Sequence, residues 1–188
     1  MNVALRKPMT LDQFLRWEER QERKYEFDGF QPVAMVGVRA AHSAIQRNLV
    51  TALANRLRGQ KCQVHGSGLK IEVVGRIRYP DAFVVCTPVA PDATIVHDLV
   101  VVFEILSEST AVTDLVTKNA EYRQTASIQR YVVLQQTSAE AIVFSHDGDW
   151  TPNMLAPEAV LSMPEIGAEI PLAEIYEGLS FGDADPDA

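Results

Sequence analysis

The chain has 188 residues and a formal net charge of −8 at pH 7, and this length predicts one domain over residues 1–180 with a core that needs no disulfide or metal. No apolar run approaches the roughly 20 residues that span a bilayer, so the composition excludes a membrane-spanning helix. Cys62 and Cys86 lack the partners of a zinc finger, which excludes a zinc site and indicates structural cysteines in a reducing cytoplasm.

The N-terminal residues 10–38 are predicted to form a helix and a hairpin. Thr10 and Gln13 have the capping-box spacing and apolar residues follow them, so a short helix should begin there as an N-terminal arm. Asp28-Gly29 separates two strand-like runs, and such a pair supplies the positive φ angles of a tight turn. The two runs should therefore pair as a hairpin.

The middle of the chain has the predicted order α-β-β-β-α-β. Its first helix carries apolar side chains at four-residue spacing, which indicates one buried stripe. Three strand-like runs follow as a meander. A helix capped by Thr110 or Thr113 then leads into another buried strand, giving a strand-helix-strand unit with a right-handed crossover. The predicted elements are the helix 41–58, the strands 63–74, 82–86 and 99–106, the helix 114–124 and the strand 130–134.

The C-terminal part is predicted to extend the sheet and to end in a helix. Ala141–Ser145, Trp150 and Ile166–Ile170 have strand-like composition, and Pro171 suits the first turn of a last helix. Residues 181–188 are acidic and are predicted to be a disordered tail.

Two carboxylates are predicted to lie at neighbouring strand ends. Pro80 suits the first position of a strand and places Asp81 at its mouth, while Glu104 lies near the end of another apolar run. Carboxylates are the ligands that Mg²⁺ prefers, and Mg²⁺ can neutralise a phosphate and activate the attacking water. Lys118 would add a fixed positive charge near the scissile phosphate. The pattern indicates a metal-dependent nuclease, although a turn cap, an exposed strand end and a solvated lysine fit the same residues.

The charges are divided unevenly along the chain. Residues 1–80 contain 14 Lys and Arg against 7 Asp and Glu, whereas residues 81–188 contain 3 against 18. The basic part can form a phosphate-facing surface in an acidic protein, because such contacts act within a Debye length of about 8 Å. Ordinary solvation of helices is the alternative. The residues predicted to contact nucleic acid are Arg39, Arg47, Lys70, Arg76 and Arg78.

Short motifs spread over the chain form a composite signature. Its residues are Tyr25-Glu26, Asp28-Gly29, Met35, His42, Tyr79-Pro80-Asp81, Glu104-Ile105-Leu106-Ser107, Ser109-Thr110, Asp114, Lys118 and Tyr122. Together they resemble the Uma-two family of restriction-endonuclease-like proteins, in the PD-(D/E)XK nuclease superfamily. The match runs from about Leu11 to Leu179, and the combination is far more specific than any one motif.

The resemblance implies an α/β (α+β) fold with a restriction-endonuclease-like αβββαβ core, whose mixed central sheet is flanked by helices. It implies that Asp81, Glu104 and the backbone carbonyl of Ile105 are metal ligands, with Mg²⁺ as the ion and Mn²⁺ as its substitute. Lys118 would be the catalytic lysine, on the helix after Glu104, and Glu26 would add a further carboxylate. The implied function is endonucleolytic hydrolysis of nucleic-acid phosphodiester bonds, in DNA rather than RNA.

Three assignments have alternatives. A plain strand role fits Glu26 as well as a catalytic one, and helix capping or packing fits His42 better than metal ligation. The whole chain also fits a catalytically silent binding module with a nuclease-like fold. A self-assembling protein fits too, in which an exposed Trp150 contributes to a dimer face. We predict a homodimer.

Overall fold

The computed structural model describes residues 8–107 and 111–181. The predicted cap Thr110 and residues 182–188 of the predicted tail lie outside this part. None of the helices within the described residues is long and apolar enough to cross a membrane. The elements in chain order are α1 (Leu11–Glu18), β1 (Tyr25–Phe27), β2 (Pro32–Ala34), α2 (Ala40–Leu57), β3 (Gln63–Gly66), β4 (Lys70–Val73), β5 (Arg76–Arg78), β6 (Ala82–Val85), β7 (Ile95–Val96), β8 (Leu99–Leu106), a π-helical segment (Thr113–Lys118), α3 (Asn119–Gln124), β9 (Arg130–Gln135), β10 (Ala141–Ser145), β11 (Asn153–Leu155), β12 (Val160–Met163), a 3₁₀ turn (Pro164–Ile166), β13 (Ala168–Pro171) and α4 (Leu172–Ile175).

A six-stranded mixed sheet, in the order β11-β10-β9-β8-β6-β3, contains the predicted core strands. The predicted meander is present, since β6 pairs antiparallel with both β3 and β8. β8 also pairs with β9 in parallel, and the π-helical segment and α3 connect these two strands along the chain. β10 extends the sheet as predicted. The predicted strand 63–74 is divided, because the chain turns at Ser67 and Gly68, and β4 then pairs with β5 and β7 in another sheet.

The alternation of side chains along these strands decides what faces each helix. In β6, Val84 packs in the cluster that contains Leu49 of α2, whereas Val85 packs in the cluster on the opposite face. In β8, Phe103 likewise packs on the α2 side. Glu104 is the next residue, so its carboxylate is directed to the other face, where the π-helical segment and α3 cover it.

A five-stranded sheet, in the order β2-β1-β5-β4-β7, packs with α1. The capping box of α1 is confirmed, since Thr10 N donates to Gln13 Oε1 at 3.0 Å and Gln13 N donates to Thr10 Oγ1 at 3.2 Å. Phe14 of α1 is fully buried and stacks on Phe27 with ring centroids 5.0 Å apart. The helix is therefore part of the core and not the arm that the sequence predicted.

The predicted hairpin is present as β1 and β2, with a wider turn than expected. Asp28 Oδ1 accepts hydrogen bonds from Phe30 N at 2.8 Å and from Gln31 N at 2.7 Å, and Gly29 has a φ of +91°. The Asp28 carboxylate therefore stabilises a loop that is longer than the predicted two-residue turn. Among the described strands, β2 pairs with β1 alone, so it is an edge strand.

The residues after β11 pack against α2 instead of extending the central sheet. β12 and β13 form a separate two-stranded sheet, so the predicted extension by residues 166–170 is wrong. Gly167, with a φ of +63°, turns the chain back onto β12 before it can reach the central sheet. Arg56 of α2 donates to both carboxylate oxygens of Glu174 at 2.6 and 2.8 Å, which holds α4 in place. Phe181, assigned to the predicted tail, packs against this core.

Trp150 is buried rather than exposed. Its backbone N donates to Ser145 O at 2.8 Å, and the ring joins the cluster that contains Tyr131 and Phe144. The turn after β10 folds the indole back onto the sheet, which the strand-like reading of this stretch did not include. Trp150 is therefore not available to contribute to the predicted dimer face. The homodimer itself stays a prediction, which the mass in solution would test.

Cys62 and Cys86 form a disulfide, which the expectation of structural cysteines in a reducing cytoplasm did not include, and the compartment stays a prediction. Gln63 pairs with Val85 in the β3–β6 ladder, so the two cysteines lie opposite each other with their Cα atoms 3.9 Å apart. They are separated by 24 positions that include β4 and β5, so the sheet, and not the local sequence, brings them together.

Reduction of this disulfide should lower the free energy of unfolding by about 3 kcal/mol, because the bond restricts the unfolded chain across a loop of this length. Urea unfolding with and without a thiol reductant measures the difference. Cys62→Ser is the control, since its stability should not respond to reductant. Equal stability of the oxidised and reduced wild type would contradict the expectation.

Candidate active site

Asp81 and Glu104 lie side by side on neighbouring strands. The β6–β8 ladder ends at the pair Ala82–Phe103. Asp81 directly precedes this pair and therefore comes level with Glu104. Its Oδ2 accepts a hydrogen bond of 2.7 Å from the backbone N of Ile105, which fixes the carboxylate at the end of the ladder.

Lys118 reaches Glu104 from the helical segment after β8. Lys118 Nζ lies 2.8 Å from Glu104 Oε1 and 3.1 Å from Asp114 Oδ1. Tyr122 OH donates to the same Glu104 oxygen at 2.9 Å. Asp114 and Lys118 belong to a π-helical segment, a rare form of helix that is frequent at functional sites. The structure thus brings together Asp81, Glu104 and Lys118, as the sequence predicted.

Burial controls the charges in this cluster. It raises the pKa of Glu104 to about 8, and Lys118 opposes this shift only in part. Burial alone would lower the pKa of Lys118, but the surrounding carboxylates, Glu104 foremost, raise it above its ordinary value. Lys118 therefore stays protonated, and a further positive charge beside Glu104 would favour the ionised carboxylate.

Glu26, in β1, lies at the edge of the same cluster. Its Oε1 accepts a hydrogen bond from the backbone N of Tyr79 at 3.0 Å and lies 3.6 Å from Lys118 Nζ. Its Oε2 accepts from Arg78 Nη1 at 3.1 Å. Because both oxygens have protein donors, the geometry favours a role in positioning Lys118 over a role in holding an ion.

His42 lies in the candidate site. α2 begins at Ala40, so His42 is in its first turn, three and seven residues before the buried Ile45 and Leu49. His42 Nε2 lies 3.2 Å from Asp81 Oδ2, and Nδ1 is buried without a hydrogen-bond partner among the described residues. Of the two roles expected for His42, helix capping is not seen, because α2 has no side-chain cap hydrogen bond, whereas packing agrees with its burial. The helical spacing from Ile45 is the signal that could have predicted the inward position.

Gln46, one turn further along α2, is a contact that the sequence analysis missed. Its Nε2 donates to the backbone O of Asp81 at 2.8 Å and to Ser67 Oγ at 2.9 Å. These hydrogen bonds connect the start of β6 to α2 and hold the backbone of Asp81 in position. A local pattern cannot reveal them, because the partners lie 35 and 21 residues away.

Lys70 and Arg78 were expected at a phosphate-facing surface, but both are buried in ion pairs. Lys70 Nζ donates to Glu18 Oε2 at 2.5 Å. Arg78 makes two bonds to the carboxylate of Glu121, at 2.6 and 2.7 Å. Each cation is desolvated and paired with a carboxylate, so the geometry does not favour a contact between these two residues and nucleic acid, and that contact stays a prediction.

The other three predicted contact residues have more solvent exposure. Arg76 Nε lies 3.1 Å from Glu121 Oε1, which compensates its charge in part. Arg47 is exposed on α2 and donates to Asn48 Oδ1 at 3.2 Å. Arg39 is exposed directly before α2 and lines the same cavity as the carboxylates. Of these three predicted residues, Arg39 is therefore the one beside the candidate site.

A cavity of about 480 Å³ contains this site. Its polar floor is formed by Asp81, Glu104, Lys118 and His42. One wall is formed by the chain from Val33 to Val38, which is largely exposed.

The donors on this floor suit a hard divalent cation. Mg²⁺ is usually bound by one or two carboxylates, and water and substrate phosphates complete its shell. Asp81 and Glu104 supply that number of carboxylates. In the described part of the chain, no group of three or more His, Cys, Asp or Glu is arranged to hold a metal ion.

Comparison with solved structures identifies the fold. The chain is similar to the crystal structure of a "putative nuclease belonging to DUF820" from Anabaena variabilis ATCC 29413, with a TM-score of 0.74 and 20% sequence identity. The match covers 90% of this chain and 98% of that chain. The mixed sheet with flanking helices is therefore a restriction-endonuclease-like fold.

The chain belongs to the Uma2 family, described as "Putative restriction endonuclease", which matches residues 11–173. It is also similar to the uncharacterised protein slr1290 of Synechocystis sp., with 35% identity over 179 residues that cover 92% of this chain and 94% of that protein. The family and the fold class predicted from the sequence motifs are thereby confirmed.

Proposed function

We propose that this chain is a Mg²⁺-dependent endonuclease that hydrolyses phosphodiester bonds of nucleic acid, with DNA rather than RNA as its substrate. The observation that carries the proposal is the contact of 2.8 Å between Lys118 Nζ and Glu104 Oε1, beside Asp81 on the floor of one cavity. The description of the family as restriction endonucleases supports the choice of DNA. Mn²⁺ should replace Mg²⁺.

Each residue of the cluster has a distinct part in this proposal. Asp81 and Glu104, with the backbone carbonyl of Ile105, would hold the ion at the cavity floor. Bound Mg²⁺ would neutralise phosphate charge and activate the attacking water. Lys118 keeps a fixed positive charge where negative charge develops on the phosphate. Glu26, 3.6 Å from Lys118 Nζ, helps to hold the ammonium in that position.

Asp81→Asn should abolish the binding of Mg²⁺ with little loss of stability. The amide oxygen can still accept the hydrogen bond from Ile105 N, but the ligand charge is gone. Asp81→Ala should also abolish binding and should cost about 1–3 kcal/mol of stability, because it leaves the backbone N–H of the buried Ile105 without its acceptor. Titration calorimetry with Mg²⁺ and Mn²⁺, together with urea unfolding, separates the two effects.

Asp92→Asn is the matched control for this measurement, since Asp92 is exposed and does not line the cavity. Heats of binding that are equal for Asp81→Asn, Asp92→Asn and the wild type would refute the metal site. If the wild type binds nucleic acid but neither binds the ions nor cleaves, the silent binding module becomes the better description.

A further inference from the structure

The wall of the cavity is an exposed apolar segment, residues 33–38, which we name the apolar strap. Val33, Val36 and Val38 in this strap are 43%, 74% and 59% exposed. The strap runs from the edge strand β2 to α2, and all of its residues line the cavity. Exposed apolar side chains that adjoin a polar site commonly mark a surface that binds a ligand.

The strap carries no charge, and the cavity floor carries several. Between Gly29 and Val38 the sequence contains no Lys, Arg, Asp or Glu. Among the described residues that line the cavity, the basic ones are Arg39 at the end of the strap and Lys118 on the floor. A ligand that fills this cavity therefore meets apolar atoms on one side and charged groups on the other.

This distribution suits one nucleotide better than a continuous double helix. Binding of a duplex depends on many Lys and Arg contacts to both phosphate backbones. The burial of Lys70 and Arg78 in ion pairs removes two of the cations that could have supplied them. A base that has left its stack is instead held against apolar side chains in a pocket. A volume of about 480 Å³ also falls in the ordinary range of small-ligand sites, about 300–1,000 Å³.

We propose that the cavity receives one unpaired nucleotide, with its base against the apolar strap and its phosphate between Arg39 and the carboxylate floor. The substrate class is then single-stranded or locally unpaired nucleic acid. The inference rests on the proposed function and narrows its substrate. The apolar strap binds the base, and the residues of the cavity floor engage the phosphate.

Fluorescence anisotropy with three labelled DNAs tests the proposal, with Ca²⁺ in place of Mg²⁺ to suppress cleavage. The DNAs are a single strand, its blunt duplex, and the same duplex with one unpaired nucleotide. The wild type should bind the single strand and the interrupted duplex about tenfold or more tightly than the blunt duplex, as expected when one base contact is gained. Equal affinity for all three would overturn the proposal and leave the proposed function intact.

The double variant Val36→Ser and Val38→Ser should remove this preference without adding charge. Val160→Ser is the matched control, because Val160 is 48% exposed on β12 and does not line the cavity. An unchanged preference in the double variant would overturn the role of the strap. If that variant instead converts a dimer to a monomer and keeps the preference, the strap is an interface between copies of this chain. Failure of the wild type to bind any DNA would overturn the proposed function itself.

Discussion

Lys118→Ala should lower the rate of phosphodiester cleavage about 10²-fold or more, because it removes the positive charge beside Glu104 that the proposed function places at the phosphate. Lys118→Arg should recover only part of the rate, since the planar guanidinium keeps the charge but changes the donor geometry. The measurement is a single-turnover assay with labelled DNA and saturating Mg²⁺. Lys118 is also the buried partner of Glu104 and Asp114, so the alanine variant should lose stability and must be assayed below its unfolding temperature.

Tyr122→Phe is the matched control for this experiment. It removes one hydrogen bond to the same oxygen of Glu104 and keeps both the ring and the charge of Lys118. Its rate should fall less than tenfold, because a hydrogen bond contributes about 1 kcal/mol. Lys70 is the lysine that serves for comparison, because its ammonium is paired with Glu18 and it does not line the cavity. Full activity of Lys118→Ala together with inactivity of Lys70→Ala would overturn the assignment.

Arg78→Met should lower the free energy of unfolding by about 3–5 kcal/mol, the largest loss of stability that we expect from a single substitution. Arg78 is 2% exposed and binds Glu121 with two hydrogen bonds and Glu26 with a third. Removal of the guanidinium leaves both carboxylates buried without their main partner. Urea unfolding at neutral pH measures the loss.

Two further variants test whether the loss of stability comes from the ion pair between Arg78 and Glu121. Arg76→Met removes a more exposed cation from the same Glu121 and should cost about 0–1 kcal/mol. Arg78→Met combined with Glu121→Leu removes both members of the main pair and should restore much of the stability, because no charge of that pair stays buried. If Arg78→Met unfolds within about 1 kcal/mol of the wild type, the ion pair is less important than its geometry indicates.

The sequence could predict the parts of the site that depend on local periodicity. The predicted helix 114–124 contains Asp114, Lys118 and Tyr122 at four-residue spacing, which indicates one helix face. The apolar runs around Asp81 and Glu104 were enough to place both at strand ends. The composite signature then predicted the family, which the spacing of any two residues could not have done.

The partners of the basic residues could not be predicted in this way. Lys70 pairs with a residue 52 positions earlier, and Arg78 with one 43 positions later, so neither pair leaves a local pattern. A charged residue on a short strand looks the same in the sequence whether it faces solvent or a buried carboxylate. The disulfide and the position of Gln46 beside Asp81 depend in the same way on how the sheet and α2 assemble.

The ammonium of Lys118 gives the carboxylate cluster a positive charge that is part of the chain itself. Assembly of this region therefore does not have to wait for an ion, unlike small domains in which binding of the metal and folding are one event. Under the proposed function, the supply of Mg²⁺ would regulate cleavage without determining whether the protein is folded.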